Sequence, residues 1–156
     1  METKLITIPK QKRIALIAHD NMKLEMLSWC QNNFDIIKKH KLFATGTTGH
    51  LLEQELKTPI TKLISGPLGG DQQIGALLTE QKIDMIVFFW DPFEPMPHDP
   101  DVKALLRVAA AWNVAVACNR TTADFMLSSP LIDTEHTISI PDYDAYLSKR
   151  LNTLPN

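Results

Sequence analysis

Short apolar runs that stop abruptly at polar or glycine-rich residues, each followed by a segment with helical spacing, recur along most of this chain. Ile14-Ala15-Leu16-Ile17-Ala18 reads as a strand buried on both faces, because such a strand has no polar side to alternate with. It stops at His19-Asp20-Asn21. From about Met22 the apolar Met22, Met26, Leu27 and Trp29 or Cys30 then recur at three- and four-residue spacing, with Asp20 or Asn21 placed to cap that helix. The unit repeats as strand Lys41 to Thr45 with helix Gly49 to Leu56, and as strand Ile60 to Ser65 with helix Gln72 to Glu80. A strand at Asp84 to Trp90 precedes an irregular proline-rich stretch, Asp91 to Pro100, and a helix to about Trp112. A strand at Val114 to Asn119, a short helix from Thr122, a strand near Ile138 to Ile140 and a helix from Tyr143 to Leu151 complete the series. Strands alternating with helices at this rhythm predict an α/β fold, a doubly wound parallel sheet with helices on both faces.

With 156 residues the chain suits a single domain over 1–156, and 44% hydrophobic against 22% charged residues excludes a disordered chain. A net charge of -2 supplies no broad positive field, so neither a nucleic acid nor a membrane surface is an expected partner. The segment Met1 to Arg13 is polar and lacks the apolar core of a secretory signal, and the apolar run Met85 to Trp90 is too short to span a bilayer. Cys30 and Cys118 lie in apolar segments without metal or redox spacing, which suggests buried thiols in a reducing, cytoplasmic setting.

In an open parallel sheet, ligands bind beyond the carboxyl ends of the strands, so the residues following each apolar run carry the functional signal. These are His19, Asp20 and Lys23, then Thr45-Gly46-Thr47-Thr48-Gly49, then Ser65-Gly66-Pro67-Leu68-Gly69-Gly70-Asp71, then Asp91 and His98-Asp99-Pro100-Asp101. Five of the six glycines fall in the two central loops, each leading into a helix. A helix start offers unpaired NH groups and the positive end of its dipole, and glycine lets an anion approach the main chain. The loops match neither a Walker motif nor the dinucleotide fingerprint, so a small phosphorylated metabolite is the expected ligand. Local alternatives stand beside this reading: Thr48 as a helix cap, Lys23 as a solvated lysine, Asp71 as a cap for Gln73 or Ile74, and Asp99 as an N-cap before Pro100. The histidines and aspartates show no metal-binding spacing, so no metal is expected.

The segments Ile14 to Asp20, Ala44 to Gly49, Ser65 to Gln73, Phe88 to Pro92 and Pro97 to Arg107 strongly resemble the methylglyoxal synthases, and the likeness runs from about Arg13 to Leu151. The resemblance implies a flavodoxin-like fold and the conversion of dihydroxyacetone phosphate to methylglyoxal and inorganic phosphate, without cofactor, in a cytoplasmic homohexamer. It places the catalytic base on Asp71, with His98 and Asp101 at the reacting oxygens and carbon. Phosphate and substrate contacts fall on His19, Lys23, Thr45, Gly46, Thr47, Thr48, Ser65, Gly66 and His98. Asp20 and Asp91 match supporting acidic positions, and Arg150 is expected to reach a neighbouring subunit. A pocket at Thr45 to Thr48 with Lys23 that holds the substrate's phosphoryl group would also hold the leaving group, so inhibition by inorganic phosphate is expected. Two other functions fit the same fold and pocket: a non-catalytic regulatory module that binds a phosphometabolite, and a triose phosphate isomerase activity that shares the first proton transfer.

Overall fold

The computed structural model describes residues 1–152. The last four positions of the expected 1–156 domain, 153–156, lie outside the described residues. Seven strands and seven α-helices are formed among those described. In chain order they are β1 (Thr3–Ile8), β2 (Arg13–Ala18), α1 (Lys23–Asn32), α2 (Phe34–Ile37), β3 (Lys41–Thr45), α3 (Gly46–Leu56) and β4 (Thr61–Leu63). There follow α4 (Gly70–Thr79), β5 (Met85–Phe89), α5 (Asp99–Ala111), β6 (Ala115–Ala117), α6 (Arg120–Ser128), β7 (His136–Pro141) and α7 (Tyr143–Leu151).

The doubly wound α/β fold is present. Five parallel strands pair in the order β4-β3-β2-β5-β6. Side chains alternate across the pleat, so each central strand feeds two cores. Ile14, Leu16, Met85, Val87 and Phe89 meet α1, α3 and α6 through Met26, Trp29, Cys30, Leu52, Leu56 and Leu127. Ala15, Ile17, Ile86 and Phe88 meet α4 and α5 through Ile74, Leu78, Val102, Leu105 and Ala109. Fully burying each of the larger side chains contributes roughly 1.5–3 kcal/mol. The Trp29 indole NH donates to Asp124 Oδ1 at 2.8 Å and so ties α1 to α6.

The structure departs from the sequence expectations at the last strand and at Cys118, and adds elements for which no expectation was made. The polar Met1 to Arg13 segment contains β1, and the strand at Ile138 to Ile140 does not join the parallel sheet. β1 and β7 instead form a separate antiparallel ribbon, with Ile6 opposite Ile138. Lys4, Ile6 and Ile8 turn toward the protein while Thr3, Leu5 and Thr7 face solvent, a two-residue period hidden by the lysines around it. The short α2 was also unexpected. Of the two cysteines, Cys30 is buried and its thiol pushed up to about 12 by desolvation, but Cys118 is only half-buried.

Connections from β2 run first to β3 and β4 on one side and then cross to β5 on the other. The carboxyl ends of β2 and β5 therefore flank the crevice where strand order reverses, the usual ligand position in such sheets.

Candidate active site

His19 leaves β2 at that crevice, where its NH extends the ladder to Phe89 O at 3.1 Å. The imidazole is buried, edge-on to Phe88 and to His98 with ring centroids 5.3 and 5.6 Å away. Its Nδ1 accepts the Asp91 NH at 3.4 Å. The neutral ring consequently carries its proton on Nε2, a buried atom with no protein partner. Burial first, and then the neighbouring His98, hold its pKa below the usual histidine value, so His19 stays a neutral donor.

The next turn, Asp20–Met22, is 3-10 rather than α, and neither Asp20 nor Asn21 caps α1. Asp20 instead accepts from Lys23 Nζ at 2.5 Å, and the Lys23 hydrogen bond lowers its pKa. Lys23 Nζ also donates to Thr47 Oγ1 at 2.5 Å, so this lysine is held at the start of α3 and is not a solvated surface residue.

Helix α3 begins at Gly46, three residues earlier than its spacing suggested, with Thr45 at the cap position and no side-chain cap. Thr48 lies within the first turn, where its buried hydroxyl faces Ala18 O at 3.5 Å; its expected capping role is overturned. The first NH groups of the helix thus have no side-chain cap and face the crevice mouth. Gly46 has φ +35°, and a Cβ there would stand 2.1 Å from Ser65 Oγ. Only glycine permits that approach of α3 to the loop after β4.

Beyond Ser65, a 3-10 turn at Gly66–Leu68 and the left-handed Gly69 lead into α4. Asp71 is its second residue and makes no capping bond, which overturns the expectation that it caps Gln73 or Ile74. Its carboxylate is 3% exposed, and Oδ1 has no partner. Burial raises its pKa, opposed by His98 and reinforced by Asp101. At α5 the cap position belongs to His98, one residue earlier than Asp99. Asp99 Oδ2 accepts the Met96 NH at 3.2 Å and so shapes the loop.

His19, Asp20, Lys23, Thr45, Gly46, Thr47, Thr48, Ser65, Gly66 and His98 surround one pocket of 270 Å³. Asp71 stands behind Gly66. Its Oδ2 and the Nε2 of His98 are each 3.4 Å from the point that a Cβ on Gly66 would occupy, so a carboxylate and an imidazole face one small space. Asp101 is in the first turn of α5, close enough for its charge to act on Asp71, but it does not line the pocket. Asp91 lies outside the lining. It accepts from the Phe93 NH at 3.0 Å and from Asn21 at 3.1 Å, with the Phe93 bond the main cause of its lowered pKa. Arg150 is on the exposed α7, away from the pocket, donating to Tyr146 Oη at 2.9 Å. Ile17, Ala18, Pro67 and Met96 complete the lining, and of these no sequence signal singled out Met96. A larger cavity of 520 Å³ lies between the β1–β7 ribbon and the amino ends of the strands, beside the Arg13–Asp84 ion pair.

The switch point of this parallel sheet therefore brings together, in one pocket region, an uncapped helix start, a buried carboxylate and two histidines, the arrangement of a small-molecule site in an α/β domain. The family model described as "MGS-like domain" matches residues 25–118. A methylglyoxal synthase of Cellvibrio japonicus is 61% identical over 96% of this chain and 97% of its own length, and one of Vibrio campbellii is 56% identical over 96% and 99%. The crystal structure of methylglyoxal synthase from Elizabethkingia anophelis NUHP1 superposes with a TM-score of 0.88 at 47% identity, covering 98% of this chain and 99% of that one. The chain belongs to the methylglyoxal synthase family.

Proposed function

We propose that this chain is a lyase that converts dihydroxyacetone phosphate to methylglyoxal and inorganic phosphate. The observation that carries the reading is the convergence of Asp71 Oδ2 and His98 Nε2 on one point beside the uncapped start of α3. The substrate's phosphoryl group occupies that helix start, held by the NH groups at Gly46 to Thr48 and near Gly66, the hydroxyls of Thr45, Thr47, Thr48 and Ser65, and the Lys23 ammonium. This leaves the carbonyl and C3 beside Asp71 and His98.

Asp71 removes a proton from C3, a task suited to a buried carboxylate whose basicity is raised by desolvation. His98 and the Nε2–H of His19 donate to the oxygens on which charge develops. The enediolate then expels phosphate from C1 when that C–O bond stands perpendicular to its plane, an angle set by the anchored phosphoryl group. Protonation of the released enol at C1 yields methylglyoxal, with Asp101 and the protonated Asp71 as the candidate proton donors. Asp20 holds Lys23 against Thr47, and Asp91 fixes the His19 tautomer through its NH. No cofactor takes part in this scheme.

Incubation with dihydroxyacetone phosphate, following methylglyoxal, glyceraldehyde 3-phosphate and free phosphate together, tests the reading. Methylglyoxal and phosphate in equal amounts are expected. Glyceraldehyde 3-phosphate alone would make the protein an isomerase, and no turnover would leave it a binding module. Inorganic phosphate should compete with substrate. Lys23→Ala should weaken both by about tenfold, on the order of one lost charge-assisted hydrogen bond. Unchanged inhibition by phosphate in that variant would remove Lys23 from the pocket.

The protein is proposed to work in the cytoplasm as a homohexamer, with Arg150 reaching a neighbouring subunit. No helix among the described residues is long and apolar enough to cross a membrane. Exposed Tyr143, Leu147 and Leu151 on α7 beside Arg150 give that face the apolar character of a contact surface. Light scattering is expected to give six times the chain mass. A stable, active monomer would overturn the assignment.

A further inference from the structure

The segment from Asp91 to Pro97 supplies Met96 to the pocket and leads directly to His98, yet it forms neither helix nor strand. Pro92, Pro95 and Pro97 stiffen it and give it no NH donors at those positions, and Phe93 projects into solvent with 93% exposure. A strap of this kind needs side-chain ties to hold one position over a pocket. The Asn21 amide provides them: Nδ2 donates to Asp91 Oδ2 at 3.1 Å and also to Glu94 Oε2. Asp91 in turn accepts the Phe93 NH and donates its own NH to His19. One exposed side chain on the turn after β2 therefore joins both acidic groups of the strap to the element that carries His19.

We propose that Asn21 is a positioning residue that latches the Asp91–Pro97 strap to the turn after β2, setting His98 over the reacting atoms and fixing the proton of His19 on Nε2. The effect on turnover rests on the lyase reading; the latch itself does not. The two carboxylates lie beside one another and would repel without a donor between them. Asn21 supplies that donor without adding charge. The Lys23 bonds to Asp20 and Thr47 and the start of α3 do not involve the Asn21 side chain.

Asn21→Ala and Asn21→Asp test this in the full chain. In Asn21→Ala, kcat is expected to fall by about tenfold to a hundredfold, a loss of the size expected from a misplacement of about 1 Å. Inhibition by inorganic phosphate should stay within about twofold and the melting temperature should not move. Asn21→Asp should be worse than Asn21→Ala, since a third carboxylate replaces the donor. Independently of any activity, amide hydrogen exchange at Asp91, Phe93, Glu94, Met96 and His98 should quicken by at least about tenfold in Asn21→Ala, with α3 unchanged. Unchanged exchange in the strap overturns the latch whether or not the wild-type protein makes methylglyoxal. Normal strap exchange together with a lowered melting temperature would make Asn21 merely structural. If wild-type protein shows no turnover while strap exchange quickens as expected, the latch stands and the lyase reading falls.

Discussion

Replacing Asp71 with asparagine should reduce methylglyoxal formation by about a hundredfold to ten-thousandfold, the range typical of a lost general base. The substitution keeps the size of the side chain and one acceptor oxygen and removes only the basic charge. Stability is expected to hold or rise slightly, for a reason visible in the site. Burial raises the carboxyl pKa in the folded state, so proton binding favours folding, and this contribution is complete below the unfolded-state pKa and is lost as pH rises through the folded value. At neutral pH the folded protein carries the cost of a buried, partly unsatisfied carboxylate, which asparagine relieves. The same raised pKa should place the acid limb of kcat/KM above the ordinary carboxylate range. Phosphate release, exchange of the C3 hydrogen in heavy water and thermal melting follow the three effects separately. A variant that still exchanges the C3 hydrogen at the wild-type rate would transfer the role of base to another carboxylate. A variant that simply unfolds would restore the capping role that the geometry of α4 denies.

The parallel sheet was legible because its signals are local and redundant: apolar runs such as Ile14 to Ala18 and Met85 to Phe89 admit few other structures when helical spacing follows each. β3 and α7 occupy the spans their spacing indicates. The β1–β7 ribbon was not legible, because its inward residues Ile6, Ile8, Ile138 and Ile140 become a face only when segments about 130 residues apart pair. Polar residues at strand ends marked the site, but sequence assigned their bonds to the nearest helix. Asp20 and Asn21 look like caps, whereas one holds Lys23 and the other reaches the strap some seventy residues away. Asp71 looks like a cap as well, and its lack of a backbone partner emerges only when Gly69 and Gly70 have set the direction of α4. Long-range bonds of this kind leave no periodic trace in a single chain.

The glycines offer a sharper separation of folding from chemistry. Gly66→Ala should lower kcat/KM by about a hundredfold with little change in stability, because the added methyl would meet Asp71 Oδ2 and His98 Nε2 at 3.4 Å, an ordinary contact distance. The methyl would fill the space between the carboxylate and the imidazole, where the reacting carbon must sit. The backbone NH remains, so inhibition by phosphate should persist while turnover fails. Gly70→Ala makes the contrasting case: its methyl would lie 2.3 Å from Ile64 O and 3.0 Å from the Ser65 carbonyl carbon, both backbone atoms that cannot swing aside. That variant should lose stability by about 1–3 kcal/mol, the range for overpacking. Measuring kcat/KM, phosphate inhibition and melting temperature for the two side by side tests the arrangement. If Gly66→Ala keeps wild-type turnover, the point shared by Asp71 and His98 is not where the reacting carbon sits, and the assignment of those two residues as base and donor falls with it.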